Sequence, residues 1–232
     1  MEQEVVRFRK PARILHWLCS GSFVALFITG LILFVPALGF LAQDSWARIF
    51  HRIASVIFMA TPLIYLVTNW KATLKGLKEV FTWGRHDVGW LKAAPRYYFL
   101  CDEKAMPPQE HMNTGQKLWA LMVVVFGVIF VLTGVIMWFA KLAAPAVLLQ
   151  WCTIIHDASF IATGVMLFVH VYLSVLHPLM GPRRTGAWSA MARGKVSAEY
   201  AKSHHAKWYE RVSKEQREKT IGEERANSQQ TQ

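Results

Sequence analysis

The sequence predicts an all-α membrane protein, a four-transmembrane-helix bundle with both termini on the cytoplasmic side. Three observations carry that prediction. Apolar residues make up 53% of the 232-residue chain and charged residues only 18%, well below the roughly 25% of a soluble domain. Mean hydropathy is +0.24, and the apolar residues are gathered in four blocks. The formal net charge of +11 is distributed one-sidedly between those blocks. Together these features exclude a disordered chain, a disulfide-rich secreted domain and an ordinary soluble enzyme.

A helix needs about 20 apolar residues to cross the hydrocarbon core. Span one, about 14–37, lies in a stretch from Ile14 to Gln43 without a single Asp, Glu, Lys or Arg. That block is too long for a cleavable signal peptide, and no small-residue cleavage site follows it closely, so it is expected to be retained. Span two, 51–70, contains Pro62, which a membrane helix tolerates with a kink. Span three, 117–140, carries the uninterrupted run LWALMVVVFGVIFVLTGVIMWFA, and span four, 151–177, is broken only by Asp157. The loop 71–116 is long for a simple connection; its Trp and Phe residues among Lys and Arg suit a segment lying in the membrane interface. Residues 1–182 are thus read as one membrane domain. The basic tail, 183–232, is read as a solvated helix with a disordered end. Cys19, Cys101 and Cys152 form no CxxC pair; the two in apolar stretches are expected as buried free thiols.

The basic residues set the sidedness. Of 26 Lys and Arg, four precede span one (Arg7, Arg9, Lys10, Arg13), eight lie from Lys71 to Lys117, and eleven follow span four. Only Arg48, Arg52 and Lys141 fall on the opposite side. The positive-inside rule places both termini and the long loop in the cytoplasm. The basic balance therefore reflects topology and anionic lipid head groups, and no folded basic face supports nucleic-acid binding.

Four histidines lie in or at the ends of spans: His16, His51, His156 and His170. An ionisable group within a span is a functional candidate. His156 and His170 are 14 residues apart, which is nearly four full turns, so both project from one face about 21 Å apart along the axis. Threading the spans antiparallel brings His51 level with His156 toward the outside, and His16 level with His170 toward the cytoplasm. A level pair of imidazoles in a bundle core suits the two axial positions of a haem iron. Zinc is a poorer match, because a structural zinc site wants four ligands at one point. A proton relay would prefer carboxylates, of which the spans offer little beyond Asp157. Gly30, Gly127, Gly134 and Thr163 are small residues at spacings that would let a flat macrocycle approach, although membrane helix contact explains glycines equally well. His177 competes with His170 as partner of His16, but would put the two sites about 31 Å apart, so His170 is preferred. His86, His111, His204 and His205 lie outside the spans and are expected to face water.

At this point the segments RKPARILHW, WARIFHR, MNTGQKLWA, IIHDASFIATGVMLFVHVYLSV and GKVSAEYAKSHHAKWY resemble the cytochrome b (gamma) subunit of membrane-bound respiratory formate dehydrogenase, over about residues 8–212. The resemblance implies two haem b groups, an outer one on His51 and His156 and an inner one on His16 and His170. It implies a quinone pocket (menaquinone or ubiquinone) formed by His170 with Asn113, Gly115 and Gln116; taken alone, Asn113 is equally an N-cap of span three. It further implies an iron–sulfur (beta) subunit and a molybdenum or tungsten pterin catalytic (alpha) subunit as partners, in the bacterial inner membrane, with the order of assembly beyond that trimer left open. Formate oxidation would then lie on the partner, and this chain would carry electrons inward to the quinone. Two other readings stay open: a cytochrome b anchor of a related hydrogenase or thiosulfate reductase, and a haem-free membrane scaffold or transporter.

Overall fold

Residues 3–100, 106–176 and 186–230 are described by a computed structural model. The chain opens with a short strand, β1 (Glu4–Val6), and enters α1 (Lys10–Phe34) with Pro11 in its first turn, where a missing N–H costs nothing. A 3-10 turn (Pro36–Ala42) leads to α2 (Trp46–Thr68), which continues through Pro62. Two shorter helices follow, α3 (Trp70–Phe81) and α4 (Arg85–Leu100), within the loop expected at the interface. Then come α5 (Thr114–Phe139) and α6 (Ala146–Val171), the latter prolonged by a π-helical turn, Tyr172–Leu176. The terminal region holds α7 (Ala187–Ala192), β2 (Lys195–Ser197), α8 (Ala198–His204) and α9 (Ala206–Gln230). His177 lies outside the described residues, as does Cys101.

Four helices, α1, α2, α5 and α6 with its π turn, are long and apolar enough to cross a membrane. They form two tightly packed hairpins, α1 with α2 and α5 with α6, that meet along α1 and α6. Many of the residues they bury are small or hydroxyl-bearing: Ser22 and Thr29 on α1, Ala47 and Ala54 on α2, Thr133 on α5, and Ser159, Thr163 and Gly164 on α6. Each of these hydroxyls donates to a carbonyl four residues earlier, which satisfies it without water. Cys152 is a buried free thiol and Cys19 a half-buried one. Large apolar side chains such as Ile64, Val128, Val165 and Phe168 point outward, as lipid-facing residues must.

The terminal region departs from a purely helical fold with a solvated tail. β1 pairs antiparallel with β2, in the register Glu4↔Ser197, Val5↔Val196 and Val6↔Lys195. Beneath them Val5, Ala190, Val196, Ala198, Ala201 and Trp208 form a core. Gly194 makes the join possible. It has φ of +85° at the end of α7, its carbonyl accepts the N–H groups of Arg7 and Phe8, and a Cβ there would sit 2.7 Å from the Phe8 carbonyl oxygen. It is a glycine C-terminal stop of the usual left-handed kind. The Arg13 guanidinium donates to the carbonyls of Met191, Ala192 and Arg193, fastening α7 to the start of α1. The tail is solvated only in its later half.

Candidate functional site

The site begins with the two pairs of imidazoles. His51 on α2 and His156 on α6 face each other with ring centroids 6.4 Å apart. His16 on α1 and His170 on α6 do the same at 6.5 Å. The pairing inferred from antiparallel threading is thus the pairing of the fold. An aromatic cluster packs α1 against α6, with Phe160 5.3 Å from Phe27, which lies between the two levels, and 5.5 Å from Phe34, one turn past Thr29 and Gly30 at the end of α1. Gly164 gives Phe27 its room, since a Cβ there would come within 2.8 Å of the Phe27 ring.

The His51–His156 pair is braced by hydroxyls. Thr29 Oγ1 lies 2.9 Å from His51 Nδ1, and Thr133 Oγ1 lies 2.8 Å from His156 Nδ1. Both threonines are buried. Gly30 and Gly134 stand beside the same rings: a Cβ would lie 3.7 Å from His51 Cε1 at the first and 3.8 Å from His156 Cε1 at the second. Gly127 has nothing within 4 Å of a built Cβ. Thr163, between the levels, bonds only its own helix backbone. Of these residues the sequence reading singled out the three glycines and Thr163 but missed Thr29 and Thr133. A hydroxyl four residues from an apolar carbonyl is common in membrane helices, so nothing marked these two until the rings were placed against them.

The His16–His170 pair is braced by rings. Trp119 on α5 stacks on His170 at 4.4 Å and 9°, and Trp17 packs edge-on against His16 at 5.0 Å. His16 Nδ1 is buried without a partner. One turn before Trp119, Asn113 and Gln116 form a capping box at the start of α5. The Asn113 side chain accepts from Gln116 N–H, and the Gln116 side chain accepts from Asn113 N–H, which closes two otherwise open helix donors. Arg7 Nη2 donates to Gln116 Oε1 and to the His111 carbonyl, tying β1 to the same corner. Gly115 is there for packing: a Cβ would lie 2.9 Å from Trp90 Cη2 on α4. The fold therefore gathers Asn113, Gly115 and Gln116 at one helix start, joined to His170 through Trp119.

Three histidines expected to face water do not. His205 is fully buried, its Nδ1 2.8 Å from the Glu110 carbonyl oxygen. His111 is half-buried against Arg7 and Trp208, and His204 is held 2.9 Å from the Tyr97 hydroxyl. Burial, followed by the nearby Arg7 charge, pushes His111 down to about 4 and His205 well below its ordinary value. The reason for the difference is tertiary: the polar tail around these residues folds back onto β1. His86 is exposed as expected.

The donor set fits an ion clasped by two imidazoles with its remaining positions filled by a ligand of its own. Metal–nitrogen bonds of about 2 Å on opposite sides of one ion put ring centroids roughly 6 Å apart, close to both observed separations. Among the described residues no three His, Cys, Asp or Glu side chains converge on a point, so each level offers two protein donors. A haem, whose macrocycle supplies four nitrogens and leaves two axial positions, matches that set.

Known proteins point the same way. A family model described as prokaryotic cytochrome b561 matches residues 7–194. The chain is 27% identical over 217 residues to the formate dehydrogenase cytochrome b556(fdo) subunit of Escherichia coli K12, covering 90% of this chain and 94% of that protein. It is 25% identical over 223 residues to the nitrate-inducible formate dehydrogenase cytochrome b556(Fdn) subunit of the same organism, covering 93% and 94%. It is 24% identical over 217 residues to the formate dehydrogenase cytochrome b556 subunit of Haemophilus influenzae, covering 90% and 83%.

Proposed function

The chain belongs to the prokaryotic cytochrome b561 family, and from that premise we propose that it is the membrane-anchoring cytochrome b subunit of a formate dehydrogenase, delivering electrons to a membrane quinone. Its family implies haem b, and its curated relatives are named as subunits of formate dehydrogenases. One observation carries the proposal: two level pairs of imidazoles, His51 with His156 and His16 with His170, at ring separations of 6.4 and 6.5 Å.

In this reading His51 and His156 hold one haem b and His16 and His170 a second. Bound haem b supplies reversible one-electron chemistry at iron. The protein's own work is to hold the donors. Thr29 and Thr133 fix the ring planes of His51 and His156, and Trp119 fixes that of His170. The packed rings of Phe27 and Phe160 keep water from the core between the levels. The quinone site lies at the start of α5, beside His170. There Asn113 Oδ1 is engaged in the capping box, whereas its Nδ2 hydrogens make no hydrogen bond among the described residues; they are placed to donate to a quinone carbonyl. Gln116 holds the helix start in register, and Gly115 lets Trp90 close the corner. The basic residues at the chain ends and in loop 71–116 put this corner on the cytoplasmic side of a bacterial inner membrane. Quinone reduction there draws two protons from the cytoplasm. An iron–sulfur subunit, itself attached to a pterin-bearing subunit that oxidises formate, docks at the opposite end.

The test is purification of the native complex from membranes, with subunits identified and haem b quantified. Two haems b per chain, both reduced by formate, are expected. His51→Ala and His156→Ala should each remove one haem, and His16→Ala and His170→Ala the other. A chain without haem, or haem retained at full stoichiometry in these variants, would refute the assignment.

A further inference from the structure

The two imidazole pairs differ in what holds their outer nitrogens. On the outer level each ring has a threonine hydroxyl at Nδ1, Thr29 at 2.9 Å and Thr133 at 2.8 Å. A hydroxyl has one proton. Thr29 Oγ1 lies 2.7 Å from the Ala25 carbonyl oxygen and Thr133 Oγ1 2.7 Å from that of Ile129, and a carbonyl can only accept. Each hydroxyl proton is therefore committed to its own helix. The contact with Nδ1 must be filled from the ring, with Nδ1–H donating to the threonine oxygen. This fixes the tautomer of His51 and His156 and leaves Nε2 of each with its lone pair. On the inner level nothing equivalent exists among the described residues. His16 Nδ1 is buried and unpartnered, and His170 is held by the face of Trp119.

A ring whose far N–H is hydrogen-bonded is the stronger electron donor to a bound metal. Stronger axial donation favours the oxidised iron and lowers its potential. We propose that Thr29 and Thr133 are positioning residues that poise the outer haem below the inner one, so that an electron arriving at His51 and His156 moves preferentially to the level of His16 and His170. The direction of flow is thereby written into two hydroxyls that act through the His51 and His156 rings. The inference rests on the haem assignment made above, and the two can fail separately.

The experiment is an optical redox titration of the intact membrane-extracted complex, with low-spin haem signals recorded by electron paramagnetic resonance. Wild-type protein is compared with Thr29→Val, Thr133→Val, the double variant and the Thr29→Ser control. The titration is repeated in a His170→Ala background, which isolates the outer haem. The outer potential is expected to rise in each valine variant and further in the double variant. Its low-spin signal should shift, the inner potential should stay in place, and serine should restore the wild-type value. Alanine at either threonine removes the hydroxyl with less bulk and reads the same shift where a valine variant fails to assemble. Full haem content with an unmoved outer potential in the hydroxyl-free variants would overturn the inference, as would a wild-type outer haem titrating above the inner one. A wild-type complex that lacks haem b would instead refute the assignment beneath it.

Discussion

His170 and Trp119 lie ring upon ring, with centroids 4.4 Å apart and planes 9° from parallel. The contact joins α6 to α5 at the level where the capping box of Asn113 and Gln116 sits one turn away. Arg7 Nη2 bonds Gln116 Oε1, so the orientation of His170 is linked through one helix start to the N-terminal strand and the folded tail. A histidine on a spanning helix is thereby linked to residues of the terminal fold.

Removing the indole should loosen that histidine selectively. An aromatic pair of this kind contributes about 0.5–1.5 kcal/mol beyond burial, so Trp119→Ala is expected to weaken the haem proposed on His16 and His170 up to roughly tenfold. The haem proposed on His51 and His156, whose rings the threonines brace, should stay at full occupancy. Haem b per chain and the reduced-minus-oxidised spectrum of the purified complex measure this; equal loss of both haems would contradict it.

Gly115 carries a second prediction, because its neighbour is the rigid end of a buried ring. A methyl group there would meet Trp90 Cη2 at 2.9 Å and Cζ2 at 3.3 Å. Overpacking of this kind costs about 1–3 kcal/mol, so Gly115→Ala should lower the melting temperature in detergent and reduce quinone reduction together. Trp90→Phe shortens the ring and should rescue Gly115→Ala. Additive losses in that pair, measured by a double-mutant cycle, would show that the glycine is needed for something other than packing.

The spans and the imidazole pairs were legible because both depend on short-range rules. Apolar length marks a membrane helix, and helical phase together with antiparallel threading brings His51 level with His156 and His16 level with His170. The N-cap reading of Asn113 was legible for the same reason. The terminal fold was not. Val5 pairs with Val196, a contact between chain ends that no local pattern announces, and strands of three residues leave almost no alternation to read. Arg7 looked like one topogenic charge among several, yet it is buried and bonds His111 and Gln116. His205 looked solvated because its sequence neighbours are polar. Thr29 and Thr133 became visible only when the fold placed rings beside them.

The burial of His111 and His205 predicts acid sensitivity in that terminal fold. Both are held below the ordinary histidine value, His111 at about 4, first by burial and then by Arg7. A depressed histidine stays neutral when folded but takes a proton when unfolded, so stability falls as pH drops below about 6.5 toward about 4. Protease cleavage of the tail, read against pH in detergent, should rise across that window while the haem spectrum stays constant. His205→Gln keeps a donor for the Glu110 carbonyl and cannot become charged in this range. Its cleavage profile should be flatter than that of the wild type; an identical profile would assign the sensitivity elsewhere.

Asp87 works with the opposite sign. Burial raises its carboxyl, but hydrogen bonds from Lys117, the Gly84 N–H and Thr114 outweigh that and hold it below its ordinary value. A depressed carboxylate contributes stability that is fully present above about pH 4 and is lost as pH falls through the folded value. Asp87 and Lys117 are both buried, 2.9 Å apart, and Lys117 Nζ also donates to the Thr82 carbonyl, so α4 and α5 meet through a closed polar contact. Breaking it from one side leaves an unpaired buried charge, which costs about 3–5 kcal/mol. Asp87→Ala and Lys117→Met should therefore each destabilise the protein sharply. Asp87→Leu combined with Lys117→Met removes both charges at similar volume and should recover most of the loss, because desolvating an ion pair offsets much of its attraction. Thermal melts of the four proteins at neutral pH decide this. A double variant as unstable as the worse single one would mean that the pair is needed for its hydrogen bonds to Thr114 and Thr82 and not merely for mutual neutralisation.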